Sequence, residues 1–422
     1  MQYNKTKLKN GLTIITAPMK GSPSVTVLVT VSAGSKYETK EINGLSHFLE
    51  HMCFKGTERR PKAIDISREL DSLGAQNNAF TSQEYTGYFA KAHPKNFSKI
   101  LDIVSDMYLN PLFDEKEIEK EKGVIIEEIN MYEDMPHRIV GDIFMEAMYG
   151  DQPAGWNIAG TKENVRGMTR DDFLKYRKAN YVAGGTTVLV AGDINERKAI
   201  EEVKKYFQNI PAGKKSGKLK IVEEQTKPVI KIKHKETDQT HIVLGVRTYD
   251  AKNSKNHPLH ILNALLGQGM SSRLFQKLRD EMGVGYYVRS GIDEFTDHGF
   301  LAVSTGVDNL RVGEVISAVL GEMKKLAIEK ISEAELKKAQ DYMIGNMYLS
   351  LESSDAVAWD CAGQFLLTGK MLTPAEFEEK IKKVTTKDIQ KVAQEIFNDN
   401  RLNMAIVGNI KNQDELKKIF HF

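Results

Sequence analysis

Alternation of apolar and polar residues near the start of the chain predicts paired β-strands. A first apolar run contains Leu12, Ile14 and Ile15. In a second run, residues 25–31, valine occupies every other position and threonine or leucine the positions between. That period of two residues is the pattern that a β-sheet imposes. The chain therefore opens with strands of one sheet.

Later patterns alternate between helical and strand character. Residues 61–73 place Pro61 at a plausible first turn of a helix, where the missing N–H costs nothing. After residue 227, strands and helices resume in a similar succession. The predicted helices are 44–54, 61–73, 95–108, 114–134, 136–149, 169–180 and those near 257–282. The predicted strands lie in the two opening runs and in 76–92, 186–192, 228–248 and 285–306, after which mostly helices precede a late strand at 402–408.

A polar stretch with helix breakers separates two halves of the chain. Residues 209–227 contain Pro211, Gly213 and Gly217 and have little apolar surface to bury, which is typical of a linker. We therefore predict one domain over 1–212, a linker over 213–227 and a second domain over 228–422.

The two halves also correspond to each other in sequence. Residues 168–194 align without a gap to 384–410, an offset of 216 (384 − 168). Thr169 then matches Thr385, and Gly192 matches Gly408. Matching order at matching spacing favours an internal duplication. The predicted fold class is α+β, with two similar domains, each a mainly antiparallel β-sheet packed against helices.

Composition narrows the functional class. The chain has 422 residues, 41% of them apolar and 27% charged, with a formal net charge of +2. This balance is that of a globular protein and gives no electrostatic reason to expect nucleic acid or membranes as partners. Only two cysteines occur, Cys53 and Cys361, and no secretory or membrane-spanning segment is visible. We therefore expect a cytoplasmic protein.

The segment with the clearest chemistry is His47-Phe48-Leu49-Glu50-His51. Histidines four residues apart on a helix project from one face, at the spacing of two nitrogen ligands of one zinc ion. Glu50 lies near that face and could activate water without binding the metal. The alternative is a partly buried helix whose two histidines only form hydrogen bonds.

A catalytic zinc ion needs a third protein ligand and one open position. Glu121 and Glu128 lie seven residues apart on one face of the helix over 114–134, and helical spacing cannot choose between them. His93 and His137 are weaker rivals, better suited to surface or capping positions. Cys53 lies about 200° round the helix from His51 and is expected to be a packed thiol. A closed structural site would need a fourth ligand, and none stands at a suitable spacing.

The segment from Gly44 to Met52, followed by Phe54-Lys55-Gly56-Thr57, resembles the pitrilysin family of inverted-motif zinc peptidases. That family includes insulysin and the mitochondrial processing peptidase, and the resemblance covers essentially the whole chain. In the family, the third ligand is a glutamate with a second glutamate seven residues before it. The resemblance thus implies one Zn²⁺ per chain held by His47, His51 and Glu128, with Glu121 supporting the ligands.

Two further segments carry the resemblance. Residues 74–82 resemble the family's edge strand, which implies that Asn78, Ala79, Phe80 and Thr81 pair with the substrate backbone. Residues 279–286 resemble its C-terminal substrate-binding motif, which implies that Arg279 and Tyr286 contact the substrate near the cleaved bond. The first domain is then catalytic and the second supplies the arginine and tyrosine.

The resemblance implies a zinc-dependent endopeptidase that cuts internal bonds of peptides or presequence-like segments, with Glu50 as general base. Four-domain members of the family enclose a chamber in one polypeptide, whereas two-domain members pair subunits. Because this chain keeps both motifs, we expect a homodimer that encloses a chamber and completes each site from the partner. The alternative is a non-catalytic subunit that binds polypeptides or scaffolds a complex.

Overall fold

The structure is a computed structural model that describes residues 2–285, 287–410 and 413–422. Two compact units are present, and each is assembled from separated stretches of chain. The first comprises Met1–Ile129, Trp156–Leu219 and Tyr348–Pro374, and the second comprises Asn130–Gly155, Lys220–Met347 and Ala375–Phe422. These units differ from the contiguous bounds 1–212 and 228–422, because each unit includes a helical stretch from the other half of the sequence.

The predicted helices and strands occur in the predicted order, together with helices over Lys162–Gly167, Glu196–Phe207 and Gln413–Ile419 that the sequence pattern had not indicated. The strands are β1 (Asn4–Lys7), β2 (Thr13–Pro18), β3 (Val25–Val31), β4 (Gln76–Thr81), β5 (Thr86–Ala92), β6 (Thr186–Gly192), β7 (Val229–His234), β8 (Gln239–Arg247), β9 (Tyr287–Glu294), β10 (Gly299–Asp308) and β11 (Leu402–Gly408). The helices are α1 (Leu45–Met52), α2 (Ala63–Ser72), α3 (Phe97–Leu109), α4 (Glu115–Asp134), α5 (Pro136–Tyr149), α6 (Lys162–Gly167), α7 (Arg170–Asn180), α8 (Glu196–Phe207), α9 (Asn256–Gly267), α10 (Val312–Ile328), α11 (Glu333–Ser350), α12 (Ser354–Thr368), α13 (Pro374–Lys382), α14 (Thr386–Ile396) and α15 (Gln413–Ile419).

The sheet of the first unit has the strand order β1-β2-β6-β3-β5-β4. Every neighbouring pair is antiparallel except β2 with β6, as the mainly antiparallel prediction requires. The alternate valines of β3 join a core that includes apolar residues of α1 and α3. Strand β4 lies at the edge of this sheet, beside α1.

The opposite face of β3 is also covered, which its alternating sequence did not indicate. Thr26 and Thr30 are 0% exposed. Helix α12 packs against β3 and β6, and the hydroxyls of Thr26 and Ser354 lie 2.8 Å apart. The threonines therefore satisfy their hydroxyls inside the unit instead of facing water. This helix is what brings residues 348–374 into the first unit.

The sheet of the second unit repeats the topology of the first. Its order β7-β11-β8-β10-β9 corresponds to β2-β6-β3-β5-β4, with the one parallel pair at the same place. The predicted offset of 216 holds at the level of elements, since α7 and β6 correspond to α14 and β11 residue by residue. Thr169 and Thr385 both cap their helices in a capping box with an aspartate three residues on. The predicted fold class is confirmed.

The predicted linker forms neither helix nor strand, yet its side chains are not free of contacts. The Lys215 ammonium donates to the hydroxyl of Tyr37 at 2.6 Å and to the carbonyl of Ser32 at 3.0 Å within the first unit. Farther on, the backbone N–H of Val222 donates to Gln152 at 3.0 Å within the second unit. Among the described residues, no helix is long and apolar enough to cross a membrane. The cytoplasmic location stays a prediction.

Candidate metal centre

Helix α1 presents the motif because its apolar residues fix its orientation. Leu45, Phe48, Leu49 and Met52 recur at helical spacing and are at most 1% exposed. Positions 47, 50 and 51 are consequently turned away from the core and are partly exposed. The helix begins after Gly44, whose φ of +102° favours glycine. A Cβ there would also lie 2.5 Å from the Ala159 carbonyl oxygen.

A buried carboxylate that was not among the predicted site residues fixes the start of this helix. Glu38 accepts hydrogen bonds from the backbone N–H groups of Gly44 at 2.8 Å and Ser46 at 2.6 Å. It also accepts one from the Asn43 amide at 3.0 Å. Burial raises the pKa of Glu38 to about 7, although these hydrogen bonds favour its charged form. Because Glu38 is six residues before Gly44, no local capping pattern indicates it.

Three potential ligand atoms converge between α1 and α4. Oε2 of Glu128 lies 3.7 Å from Nε2 of His47 and 3.5 Å from Nε2 of His51. One atom from each of these residues lies within 4.8 Å of the other two. Ligand atoms of a tetrahedral zinc ion lie about 3.3 Å apart, given metal–ligand bonds of about 2.0–2.1 Å. The three side chains therefore fit a zinc ion after small adjustments.

The protonation of the site suits a metal as well. Burial, together with the charge of His51, lowers the pKa of His47 to about 4, against an opposing effect of Glu128. The neutral imidazole, which is the form that binds metals, therefore prevails at neutral pH. Neither Nε2 is close enough to Glu128 for a hydrogen bond. The alternative of two histidines held only by hydrogen bonds does not account for this convergence.

Glu121 and Glu128 occupy different places around His51. Oε1 of Glu121 lies 2.9 Å from Nδ1 of His51, on the side of the ring away from Nε2. Oε2 of the same carboxylate lies 2.5 Å from the ammonium of Lys55. Burial would raise the pKa of Glu121, but hydrogen bonds from His51 and Lys55 outweigh it and hold that pKa below its usual value. Glu121 thus contacts a histidine, whereas Glu128 faces both Nε2 atoms.

Glu50 lies beside the three converging side chains without being one of them. Its Oε2 accepts a hydrogen bond of 2.6 Å from the hydroxyl of Thr81, at the end of the edge strand. Burial raises the pKa of Glu50, and the hydrogen bond from Thr81 opposes that shift. A carboxylate whose pKa is raised towards neutrality is a suitable general base. The family resemblance implied Thr81 only as a substrate contact, and no sequence pattern indicates this hydrogen bond.

The other residues of the predicted edge strand are placed as a strand edge requires. Asn78 is exposed, and its side-chain oxygen accepts from the backbone N–H of Ala79 at 2.9 Å. Phe80 packs on Trp359 of α12, with ring centroids 4.3 Å apart. Gly87 lies opposite Phe80 in the ladder, and a Cβ there would come within 2.2 Å of the phenyl ring. The missing side chain at Gly87 therefore makes room for Phe80.

None of the remaining candidates is among the three converging side chains, and one of them lies outside the described residues. Arg279 belongs to the second unit, in a π-helical segment, Phe275–Glu281, and donates to the carbonyl of Gly285 at 3.2 Å. Tyr286 lies outside the described residues. His93 is exposed and accepts from the backbone N–H of Lys95, so it is a capping residue. Cys53 is a buried free thiol that donates to the hydroxyl of Tyr88.

Comparisons with known proteins identify the family of the chain and relatives that are named zinc proteases. Residues 13–162 match the model of the insulinase family, Peptidase family M16, and residues 167–343 match the model described as Peptidase M16 inactive domain. The chain is 36% identical over 395 residues to the uncharacterized zinc protease YmxG of Bacillus subtilis, covering 93% of this chain and 95% of the relative. It is 32% identical to an uncharacterized zinc protease of Rickettsia bellii, covering 96% and 97%.

Solved structures share the fold. A protease from Helicobacter pylori superimposes with a TM-score of 0.90 at 24% identity, covering 96% of this chain and 99% of that one. A peptidase M16 inactive domain from Pseudomonas fluorescens gives a TM-score of 0.89 at 15% identity, with coverage of 98% and 100%. At these identities the likeness concerns the fold alone.

Proposed function

The chain belongs to the insulinase (M16) family of peptidases, and from that premise we propose that it is a zinc-dependent endopeptidase. Its substrates are peptides or presequence-like unfolded segments, cut at internal bonds. The observation that carries the proposal is the convergence of His47, His51 and Glu128, with Glu50 beside them and free of a role as ligand. A protein that only scaffolds a complex has no physical need for this set.

The residues divide the chemistry between holding a metal and moving a proton. His47, His51 and Glu128 would hold one zinc ion, and His51 would be oriented by Glu121. When bound, zinc supplies a Lewis acid that polarises a carbonyl and makes water nucleophilic near neutral pH. Glu50 takes a proton from the water whose oxygen adds to the carbonyl carbon. It then delivers that proton to the amine nitrogen as the C–N bond breaks.

The edge strand β4 offers a way to hold peptides of varied sequence. An extended substrate would pair with the backbone of Asn78–Thr81, because an edge strand has one side without a neighbouring strand. The hydrogen bond from Thr81 to Glu50 ties the end of this strand to the proposed base. Backbone pairing therefore brings the substrate to the reacting groups whatever its side chains are.

The direct test combines metal analysis with a peptide library. We expect purified protein to contain one zinc ion per chain and to cut a mixed library at internal bonds, as read by mass spectrometry. Removing zinc with a chelator should abolish cleavage, because the Lewis acid is gone, and one equivalent of zinc should restore it.

Two outcomes would contradict the proposal in different ways. Protein that binds one zinc ion per chain yet leaves every peptide intact would indicate a non-catalytic subunit that binds polypeptides. Protein that binds no zinc would exclude the metal centre itself. Circular dichroism of the zinc-free protein is the control that separates loss of metal from loss of fold.

We also propose that the active form is a homodimer in which Arg279 and Tyr286 of one subunit serve the zinc centre of the other. The proposal is supported by the presence of both motifs in this one chain, in different units. Each subunit of a two-fold dimer then contributes to two sites. In the same proposal, the homodimer encloses a chamber around its two sites.

Mixed dimers test this arrangement. Glu50→Gln and Arg279→Ala subunits should each be inactive alone, and together they should recover activity, because a mixed dimer has one intact site. Random pairing should give about a quarter of wild-type activity, since half the dimers are mixed and each has one working site of two. Mixed dimers verified by mass spectrometry that stay inactive would contradict sharing. Mixing Glu50→Gln with Glu128→Gln subunits is the matched control, because neither restores the other.

A further inference from the structure

Lys55 lies just beyond α1 and contacts the metal centre only indirectly. Its backbone N–H donates to the carbonyl of Met52 at 3.1 Å, so it continues the turn that ends the helix. Its side chain is 26% exposed, and its ammonium lies 2.5 Å from Oε2 of Glu121. The other oxygen of Glu121 lies 2.9 Å from Nδ1 of His51. Lys55, Glu121 and His51 therefore form one continuous chain of polar contacts.

This chain of contacts determines which nitrogen of His51 carries the proton. Lys55 has only donors, so Oε2 of Glu121 accepts from it. Oε1 of the same carboxylate also accepts, which makes Nδ1 of His51 the donor. A neutral imidazole has a single N–H, so the lone pair of His51 is on Nε2, the atom 3.5 Å from Glu128.

Lys55 also fixes the orientation of the Glu121 carboxylate. Glu121 is 4% exposed, and its two oxygens are divided between the ammonium of Lys55 and Nδ1 of His51. Without the ammonium, Oε2 loses this donor, and the carboxylate is no longer held with Oε1 against Nδ1 of His51.

We propose that Lys55 is a positioning residue that acts through Glu121 to hold His51 as the Nδ1–H tautomer and so presents its Nε2 lone pair to the metal. The inference rests on the proposed zinc centre and deepens it. The competing role is a tether, in which the ion pair only joins the end of α1 to α4. A tether would affect stability and leave the tautomer of His51 unchanged.

The test uses three variants of the full chain. Lys55→Met removes the charge and keeps the stem, and Lys55→Arg keeps the charge. Lys122→Met is the matched control, because Lys122 lies in α4, is 13% exposed and pairs with a different carboxylate, that of Glu119, at 2.6 Å. Zinc affinity is measured by competition with a chromogenic chelator. The tautomer of His51 is measured by ¹⁵N NMR of histidine-labelled, zinc-free protein, with its signals assigned through His51→Ala.

We expect Lys55→Met to weaken zinc binding about 10–100-fold, the usual effect of losing an outer partner of a metal ligand. It should also shift His51 towards the Nε2–H tautomer, whereas Lys55→Arg and Lys122→Met should resemble wild type in both measurements. If Lys55→Met does not fold, Lys55→Gln gives the same comparison.

Two results would overturn the inference. One is zinc affinity unchanged in Lys55→Met. The other is weakened zinc binding with His51 still in the Nδ1–H tautomer, which would make Lys55 a tether. Failure of the zinc centre itself is distinguishable, because wild-type protein would then bind no zinc. The NMR measurement on zinc-free protein would still show whether Lys55 determines the tautomer of His51.

Discussion

Glu50→Gln is expected to leave zinc bound at one ion per chain and to lower kcat/KM for peptide cleavage by about 10²–10⁴-fold, the usual contribution of a general base. Glutamine has the shape of glutamate and can still accept the 2.6 Å hydrogen bond from Thr81 through its carbonyl oxygen. It cannot take a proton from water. The substitution therefore removes one chemical step and leaves the geometry of the centre in place.

Zinc content, thermal stability and cleavage of one defined peptide measure this effect together. Unchanged zinc and unchanged melting temperature with lost turnover would support Glu50 as the base. Turnover within a few-fold of wild type would exclude Glu50 from that role. Loss of zinc together with turnover would instead indicate that Glu50 helps to hold the metal.

Glu128→Gln should have the opposite combination of effects, because it removes the anionic ligand. We expect zinc affinity to fall by more than the roughly 10–100-fold that loss of an outer partner costs. Cleavage should fall in proportion to the zinc lost, and excess zinc should restore part of it. The reason is geometric, since Oε2 of Glu128 is the oxygen that faces Nε2 of both histidines.

Glu127→Gln is the matched control for this prediction. Glu127 is one residue away on the same helix, is exposed and points about 100° round from Glu128. The control should retain zinc and activity. Equal zinc loss in both variants, measured by chelator competition, would mean that the charge of the helix and not a specific ligand is responsible. Zinc affinity unchanged in Glu128→Gln would remove this residue from the metal centre.

Elements whose sequence pattern is local were predictable. The strand over 186–192 and the late strand at 402–408 agree with the structure residue by residue. Each apolar run is seven residues long, which is the length of a strand and too short for a typical helix. The helix of the motif was predicted at 44–54 and runs over Leu45–Met52. Its geometry followed from spacing alone, since helical residues four apart share a face.

Contacts between distant residues were not predictable from pattern. Glu121 and Glu128 share a face of α4, so their spacing could not show which of them is the third metal ligand. Only the packing of α4 against α1 puts one beside Nδ1 of His51 and the other beside Nε2. The bond from Thr81 to Glu50 depends likewise on the edge strand lying beside α1.

The sequence by itself determined the chemistry available to this protein: two imidazoles and a carboxylate on one helical turn, two related α+β halves, and few cysteines. The tertiary structure decided which distant carboxylate faces the imidazoles, what caps the helix, and which stretches build each unit. The physical reason is the separation along the chain over which each kind of interaction acts. Periodicity within a helix or strand is fixed by backbone geometry over a few residues, whereas a contact such as His51 with Glu121, or Thr26 with Ser354, exists only after whole elements pack together.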